Sequence, residues 1–179
     1  MAKQHFDAVY RRDVGEIRQL LTGSVSAEDT QNAAAGLRAA IEANFEEIVE
    51  VYLEAGLDLN IRDQSGYTPL ICAAAMGRLA IVRRLLAAGC GVNVPDSDSM
   101  TALHHAAIRQ DELMLQVLVA NGANPEHRSS HGKTALELAR LRFFTIGRAS
   151  GVYPRVWDTP AVKYLLRLSE QTIDPSTFG

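Results

Sequence analysis

Residues 66–89 read GYTPLICAAAMGRLAIVRRLLAAG, and residues 99–122 read SMTALHHAAIRQDELMLQVLVANG, which is the same pattern 33 positions later. Several kinds of residue keep this step of 33. They are Thr68, Thr101 and Thr134; Leu70, Leu103 and Leu136; Gly56, Gly89 and Gly122; Asn60 and Asn93; and Ala40, Ala73, Ala106 and Ala139. Columns of different residue types in one register indicate an internal structural repeat.

The repeated phrase predicts two short helices. Thr68 is a helix N-cap residue and Pro69 suits the first helical position, where its missing N–H costs nothing. Gly77 ends the first helix after about two turns, and residues 79–88 form a second helix before Gly89, a typical left-handed C-terminal cap. Helices shorter than about 12 residues are marginal alone in water. Each pair therefore has to bury its apolar face against neighbouring pairs, which predicts a solenoid.

At these residues the sequence resembles the ankyrin repeat family. The matching motifs are DQSGYTPLICAAAMG at 63–77, SMTALHHAA at 99–107 and HGKTALELA at 131–139, with a diverged copy at 34–60 and an opening unit at 6–21. The resemblance implies a single all-α ankyrin repeat domain over residues 1–179, with about five helix-turn-helix units and projecting β-hairpin-like loops. The expected divisions are residues 3–30, 31–63, 64–96, 97–129 and 130–168, followed by a tail at 169–179.

No catalytic or metal site is predicted, and no cofactor is expected. Adjacent residues of a helix point about 100° apart, so His104 and His105 cannot easily share one ion. His104 occupies the histidine position of the family motif, and His105 is interpreted as a packing residue. Arg38, Ile71 and Glu137 stand at the motif position in other units, so the polar network around the motif is expected to be only partly kept. Cys72 and Cys90 are expected to be reduced thiols.

The last unit carries an insertion. The step from Thr101 to Leu115 is 14 residues, whereas the equivalent step from Thr134 to Val162 is 28, which leaves 14 additional residues. The insertion is rich in arginine and aromatic residues, including Phe144, Tyr153, Arg155 and Trp157. Such a composition is enriched at interfaces, but an aromatic loop can also cap the exposed end of a repeat array. Partner binding, capping, and both together remain alternatives.

The resemblance also places a recognition surface on the finger tips and the exposed positions of the first helices. Tyr67, Met76, Met100 and Ile108 are apolar residues at positions that should face solvent, which would suggest a contact site if they form a row. Alternatively, some of them, Ile108 above all, pack under a neighbouring finger. With Leu141 as a further surface position, the candidate partner-binding residues are Arg62, Gln64, Tyr67, Met76, Met100, Ile108, Arg109, Lys133, Arg142, Phe144, Tyr153, Arg155 and Trp157.

Composition and charge narrow the function classes. The formal net charge of −3 argues against nucleic acid as the main partner. No apolar run reaches the roughly 18 residues of a membrane span, and the N-terminus lacks the apolar segment of a secretory signal. A cytoplasmic monomer is therefore expected. Residues 42–58 are acidic without a basic residue, and they form either a solvated helix face or a surface for self-association.

Three functions follow in order of preference. The first is a non-enzymatic adaptor-like module that binds one protein partner through its concave face and its fifth-unit loop. The second is an inhibitor or immunity-type protein that occludes a toxin or an enzyme. The third is a self-associating structural protein, in which the acidic second unit of one molecule meets the basic fifth-unit loop of another.

Overall fold

The structure, a computed structural model, describes residues 2–22, 27–63, 66–141 and 159–171. Within these residues the regular secondary structure is helical, and no strand is present. Four helix pairs come first, and one helix lies on either side of residues 142–158. The helices are α1 (Ala2–Arg11), α2 (Val14–Thr22), α3 (Ala27–Glu42), α4 (Glu46–Glu54), α5 (Pro69–Met76), α6 (Leu79–Ala87), α7 (Ala102–Arg109), α8 (Glu112–Ala120), α9 (135–141) and α10 (Pro160–Gln171).

The helices are arranged in two layers. In the first layer α1, α3, α5 and α7 stack in chain order, and in the second layer α2, α4, α6, α8 and α10 do the same. Each first-layer helix from α1 to α7 also packs against the second-layer helix that follows it. The core lies between the layers, where Ala73, Ala74, Ala106 and Ala107 are fully buried. These small side chains let neighbouring helices approach closely, so the all-α repeat solenoid expected from the sequence is confirmed.

Helix ends follow the chemistry that the repeat predicts. The hydroxyl of Thr68 accepts a hydrogen bond from the amide of Ile71 at 3.2 Å, and Pro69 occupies the first turn of α5. Gly77 ends α5 in the left-handed region with φ of 70°. Gln110 takes the same conformation after α7, with φ of 61°, although a side chain makes that conformation less favourable than it is for glycine.

Three fingers project between the units, at residues 61–67, 94–100 and 127–133. In each finger a backbone N–H bonds to the carbonyl four residues later, at 2.8 to 3.0 Å, for the pairs Asp63–Tyr67, Asp96–Met100 and Ser129–Lys133. In each pair the side chain of the first residue also accepts a bond from the amide of the second. Asp63, Asp96 and Ser129 therefore close the fingers, which resemble hairpins although none contains a described strand.

The second unit departs from this pattern. The positions that would form a finger before it, residues 30–34, belong instead to α3, which runs for 16 residues against eight in α5 and α7. The local sequence TQNAAAG offers neither a Thr-Pro start nor a glycine at the turn position, and its three alanines favour a helix. The inner helix of this unit is consequently extended toward its N-terminus.

The last unit is described on both sides of residues 142–158. Helix α10 packs against α8 in the second layer, which is the position that the motif TPAVKYLLRL predicts for it. The hydroxyl of Thr159 lies 3.0 Å from the side-chain oxygen of Gln110 and donates to it, which ties α10 to the fourth unit. The predicted 14-residue insertion lies outside the described residues.

Candidate interaction face

The side of the solenoid formed by the fingers and the last turns of the first-layer helices is called the inner face here; the side formed by the second-layer helices is the outer face. Three candidate residues are fully accessible on the inner face: Arg62, Met76 and Arg109. Met76 is 44% exposed on the last turn of α5. Arg109 covers Gly77, because a Cβ atom at Gly77 would lie 2.6 Å from Nη2 of the arginine. Its Nη1 atom also donates to the carbonyl of Ala75 at 3.1 Å.

Four other candidates are half-buried: Tyr67, Met100, Ile108 and Lys133. The ring of Tyr67 packs against the core and meets the ring of His105 edge-on, with 5.2 Å between centroids. Burial also raises the pKa of its hydroxyl. Tyr67 therefore holds its finger against α7 and presents only part of its surface to solvent, whereas the sequence predicted a solvent-facing residue.

The remaining candidates, Gln64, Arg142, Phe144, Tyr153, Arg155 and Trp157, lie outside the described residues. Their role in binding stays a prediction. Leu141, the last described residue of α9, is 49% exposed. It is equivalent by the 33-residue step to Ile108 in α7. The inner face of the third to fifth units thus presents apolar side chains on three successive first-layer helices.

Sequence reasoning missed the inner face of the first unit. Arg12, Asn44, Gly77 and Gln110 all have positive φ at the end of a first-layer helix, and this column fixes the register of the first unit. Two positions earlier, Tyr10 is the equivalent of Ile108, and it is 60% exposed. The signal was available in the sequence, because the opening unit is one residue shorter than the others.

Two histidines hold the fourth unit together. The Nε2 atom of buried His104 donates to the carbonyl of Lys133 at 3.2 Å, which leaves Nδ1 to accept the amide of Thr101 at 3.2 Å. His105 is 2.9 Å from the buried carboxylate of Asp96, the residue that closes the fourth finger. His104 has the structural role expected from the motif. His105 does more than pack, since it anchors a finger.

The motif position is also polar in two of the other units. In the fifth unit, the amide of Thr134 donates to the carboxylate of Glu137 at 2.9 Å, and the amide of Glu137 donates to the hydroxyl of Thr134 at 3.3 Å. This is a complete capping box. In the second unit, Arg38 bonds to Glu42 at 2.8 Å and also to Asp63. Only Ile71 brings no polar group to this position.

The described residues offer little for covalent or metal chemistry. Burial raises the pKa of the Cys72 thiol to about 12 and that of Cys90 to about 11, so both are neutral at physiological pH and weak nucleophiles. Across the described ranges, no cluster of three or more His, Cys, Asp or Glu side chains is placed to hold a metal ion. The arrangement suits contact with another molecule better than chemistry.

Family comparisons agree with this architecture. A family model described as ankyrin repeats in many copies matches residues 52–106, and one described as ankyrin repeats in three copies matches residues 81–144. The chain belongs to the ankyrin repeat family. Ankyrin repeats generally mediate protein–protein interaction and are typically non-enzymatic. Of the helices in the described residues, none combines the length and apolar character needed to cross a membrane.

Proposed function

We propose that this ankyrin repeat protein is a non-enzymatic module that binds one protein partner on its inner face. The observation that carries the proposal is the exposure of Met76 and Leu141 two units apart, with Ile108 half-buried between them. Large apolar side chains that share one face of a rigid scaffold favour a contact site over scattered surface residues. Arg109 adjoins this row, and arginine is enriched at interfaces.

The rigidity of the fingers supports the same function. Each finger is closed by a backbone bond and a side-chain bond, and the fourth and fifth fingers are joined by a 2.8 Å bond from the Ser130 amide to the Asp98 carbonyl. A surface that is already ordered loses little conformational entropy when it binds a partner. The adaptor and the inhibitor hypotheses both use this surface and differ in whether the partner's activity is silenced.

The test is an affinity capture from the lysate of the source cell with matched baits. One bait carries Met76→Asp with Leu141→Asp, and the control carries Leu113→Asp, the same chemical change at a leucine that is 60% exposed on α8 in the outer face. We expect the inner-face bait to lose a protein that the native chain and the control retain. Equal capture by both variants would exclude the inner face.

A third bait addresses the fifth-unit loop. Residues 144–157 are replaced by a short Gly-Ser turn, and folding is checked by circular dichroism. If the loop is recognition surface, the folded replacement loses the partner; if it is a cap, the partner stays bound and thermal stability falls. An assay of the captured partner's activity, with and without the native chain, then separates an inhibitor from an adaptor.

A further inference from the structure

The inner face of the third to fifth units carries cations with no opposite charge. Arg62 and Arg109 are exposed and Lys133 is half-buried, and none of them forms an ion pair with a carboxylate in the part of the chain that the structure describes. The bond from Arg109 to Ala75 uses one of five guanidinium N–H groups. The other donors of Arg109 are available to a ligand.

Most acids on the same side are already neutralised within the chain. Arg38 holds Glu42 and Asp63, while Arg128 lies 3.5 Å from Glu137. Exposed Asp98 on the fourth finger is the acid of these units that forms no ion pair among the described residues. The accessible charge of the inner face is therefore positive, although the whole chain has a formal charge of −3.

The outer face has the opposite arrangement, because its acids are paired across helices. Arg84 on α6 binds Glu50 at 2.7 Å and Glu46 at 3.4 Å on α4, and Arg18 on α2 binds Glu54 at 2.8 Å. A second copy that docked its acidic second unit onto the inner face would have to compete with these internal pairs. The charge pattern consequently favours a different molecule as the occupant.

We infer that the occupant is an acidic peptide segment of another protein, with at least one large apolar side chain. Its carboxylates would pair with Arg62, Arg109 and Lys133, and its apolar side chain would cover Met76 or Leu141. This inference rests on the proposed function and specifies the partner class. First-layer helices lie about 10 Å apart, so the two apolar residues are about 20 Å apart, a span that six or seven extended residues cover.

The test is a selection of random dodecapeptides, displayed on phage, against the folded full-length chain at about 0.1 M NaCl, where charge pairs are screened beyond about 10 Å. Enriched peptides are synthesised, and their dissociation constants are measured by fluorescence anisotropy. The variants are Arg109→Glu, Lys133→Glu and Arg62→Glu, each checked by circular dichroism. The matched control is Arg83→Glu, which reverses an exposed arginine on α6 in the outer face.

We expect peptides enriched in Asp or Glu together with Leu, Phe or Trp. Their affinity should fall about tenfold or more on charge reversal at an inner-face residue and should be unchanged by Arg83→Glu. Three independent variants keep the test valid if Arg109→Glu disturbs the turn at Gly77. Failure to enrich any acidic peptide would overturn the inference.

The remaining outcomes separate the inference from the proposed function. Neutral or basic peptides that are weakened by Met76→Asp would contradict the acidic class and leave inner-face binding intact. Enriched peptides indifferent to Met76→Asp and to all three charge reversals would contradict both. Acidic peptides weakened equally by Arg83→Glu would indicate non-specific attraction and would also overturn the inference.

Discussion

Gly36 of α3 lies directly against the phenol of Tyr52 in α4, so close that a Cβ atom on Gly36 would lie 2.9 Å from the Cζ atom of Tyr52. The hydroxyl of Tyr52 is in turn 3.0 Å from Nδ1 of buried His5 in α1. One missing side chain therefore lets a fully buried tyrosine bridge the first two units. Burial raises the pKa of this tyrosine, which stays neutral at physiological pH.

Gly36→Ala is expected to destabilise the protein by about 1–3 kcal/mol, the usual range for overpacking a core. An alanine inside a helix would otherwise gain up to about 1 kcal/mol over glycine, so the sign of the change tests the contact. Urea denaturation followed by circular dichroism measures it. Tyr52→Phe in the same chain removes the hydroxyl and should reduce the cost of the alanine, and a stabilising Gly36→Ala would show that the contact is wrong.

His104→Gln should reduce the sensitivity of folding to acid. Burial lowers the pKa of His104 in the folded chain, and a protonated Nδ1 could not accept the Thr101 amide. The unfolded histidine titrates near pH 6.5, so the folded state keeps its full stability above that pH. As the pH falls below 6.5, the unfolded chain takes up a proton that the folded chain resists, and stability is lost.

The measurement is the urea midpoint at pH 7.5 and at pH 5 for both chains. Glutamine is the conservative choice, because it also completes a capping box at this position. The native chain should lose more stability than His104→Gln over this interval. Equal losses in the two chains would assign the acid sensitivity to other groups.

Asn93→Ala should weaken the junction between the third and fourth units. The side chain of Asn93 accepts the Asn124 amide at 2.8 Å and donates to the Gly122 carbonyl at 2.9 Å. Losing both bonds is expected to cost about 1–2 kcal/mol. Asn93→Asp keeps the acceptor and loses the donor, so thermal melting should place it between the native chain and the alanine variant. Two indistinguishable variants would mean that the acceptor contributes nothing.

The protein is expected to be monomeric at both low and high salt. The acids of α4 that would attract a second copy are already paired with Arg84 and Arg18. Light scattering at high protein concentration, in about 0.02 M and 0.5 M NaCl, spans the range in which surface charges are weakly and strongly screened. A dimer at low salt that dissociates at high salt would support the self-association hypothesis instead.

The repeat architecture could be predicted from the sequence because the same cap and turn chemistry recurs every 33 residues. Thr68, Pro69 and Gly77 each act locally, within one turn of helix, and such signals survive without knowledge of the fold. The extended start of α3 was missed because the family pattern was carried into the second unit, where alanines replace the turn residues. There, local helix propensity decided the structure.

The candidate site was harder to predict, since its surface depends on contacts between units. Tyr67 was expected to face solvent, but the ring of His105, 38 residues later in the chain, covers part of it. The closing role of Asp63, Asp96 and Ser129 rests on the same spacing as the helix caps and could have been found from the sequence. The neutralisation of Glu46 and Glu50 by Arg84 could not, because it needs the positions of α4 and α6.

The most direct test of inner-face binding is site-specific photocrosslinking in the source cells. Benzoylphenylalanine is placed at position 76, on the inner face, or at position 113, the exposed leucine of the outer face. Irradiation should attach one discrete protein to the chain labelled at position 76 and nothing of that size to the chain labelled at position 113. A product formed only from position 113, or equally from both, would contradict the account.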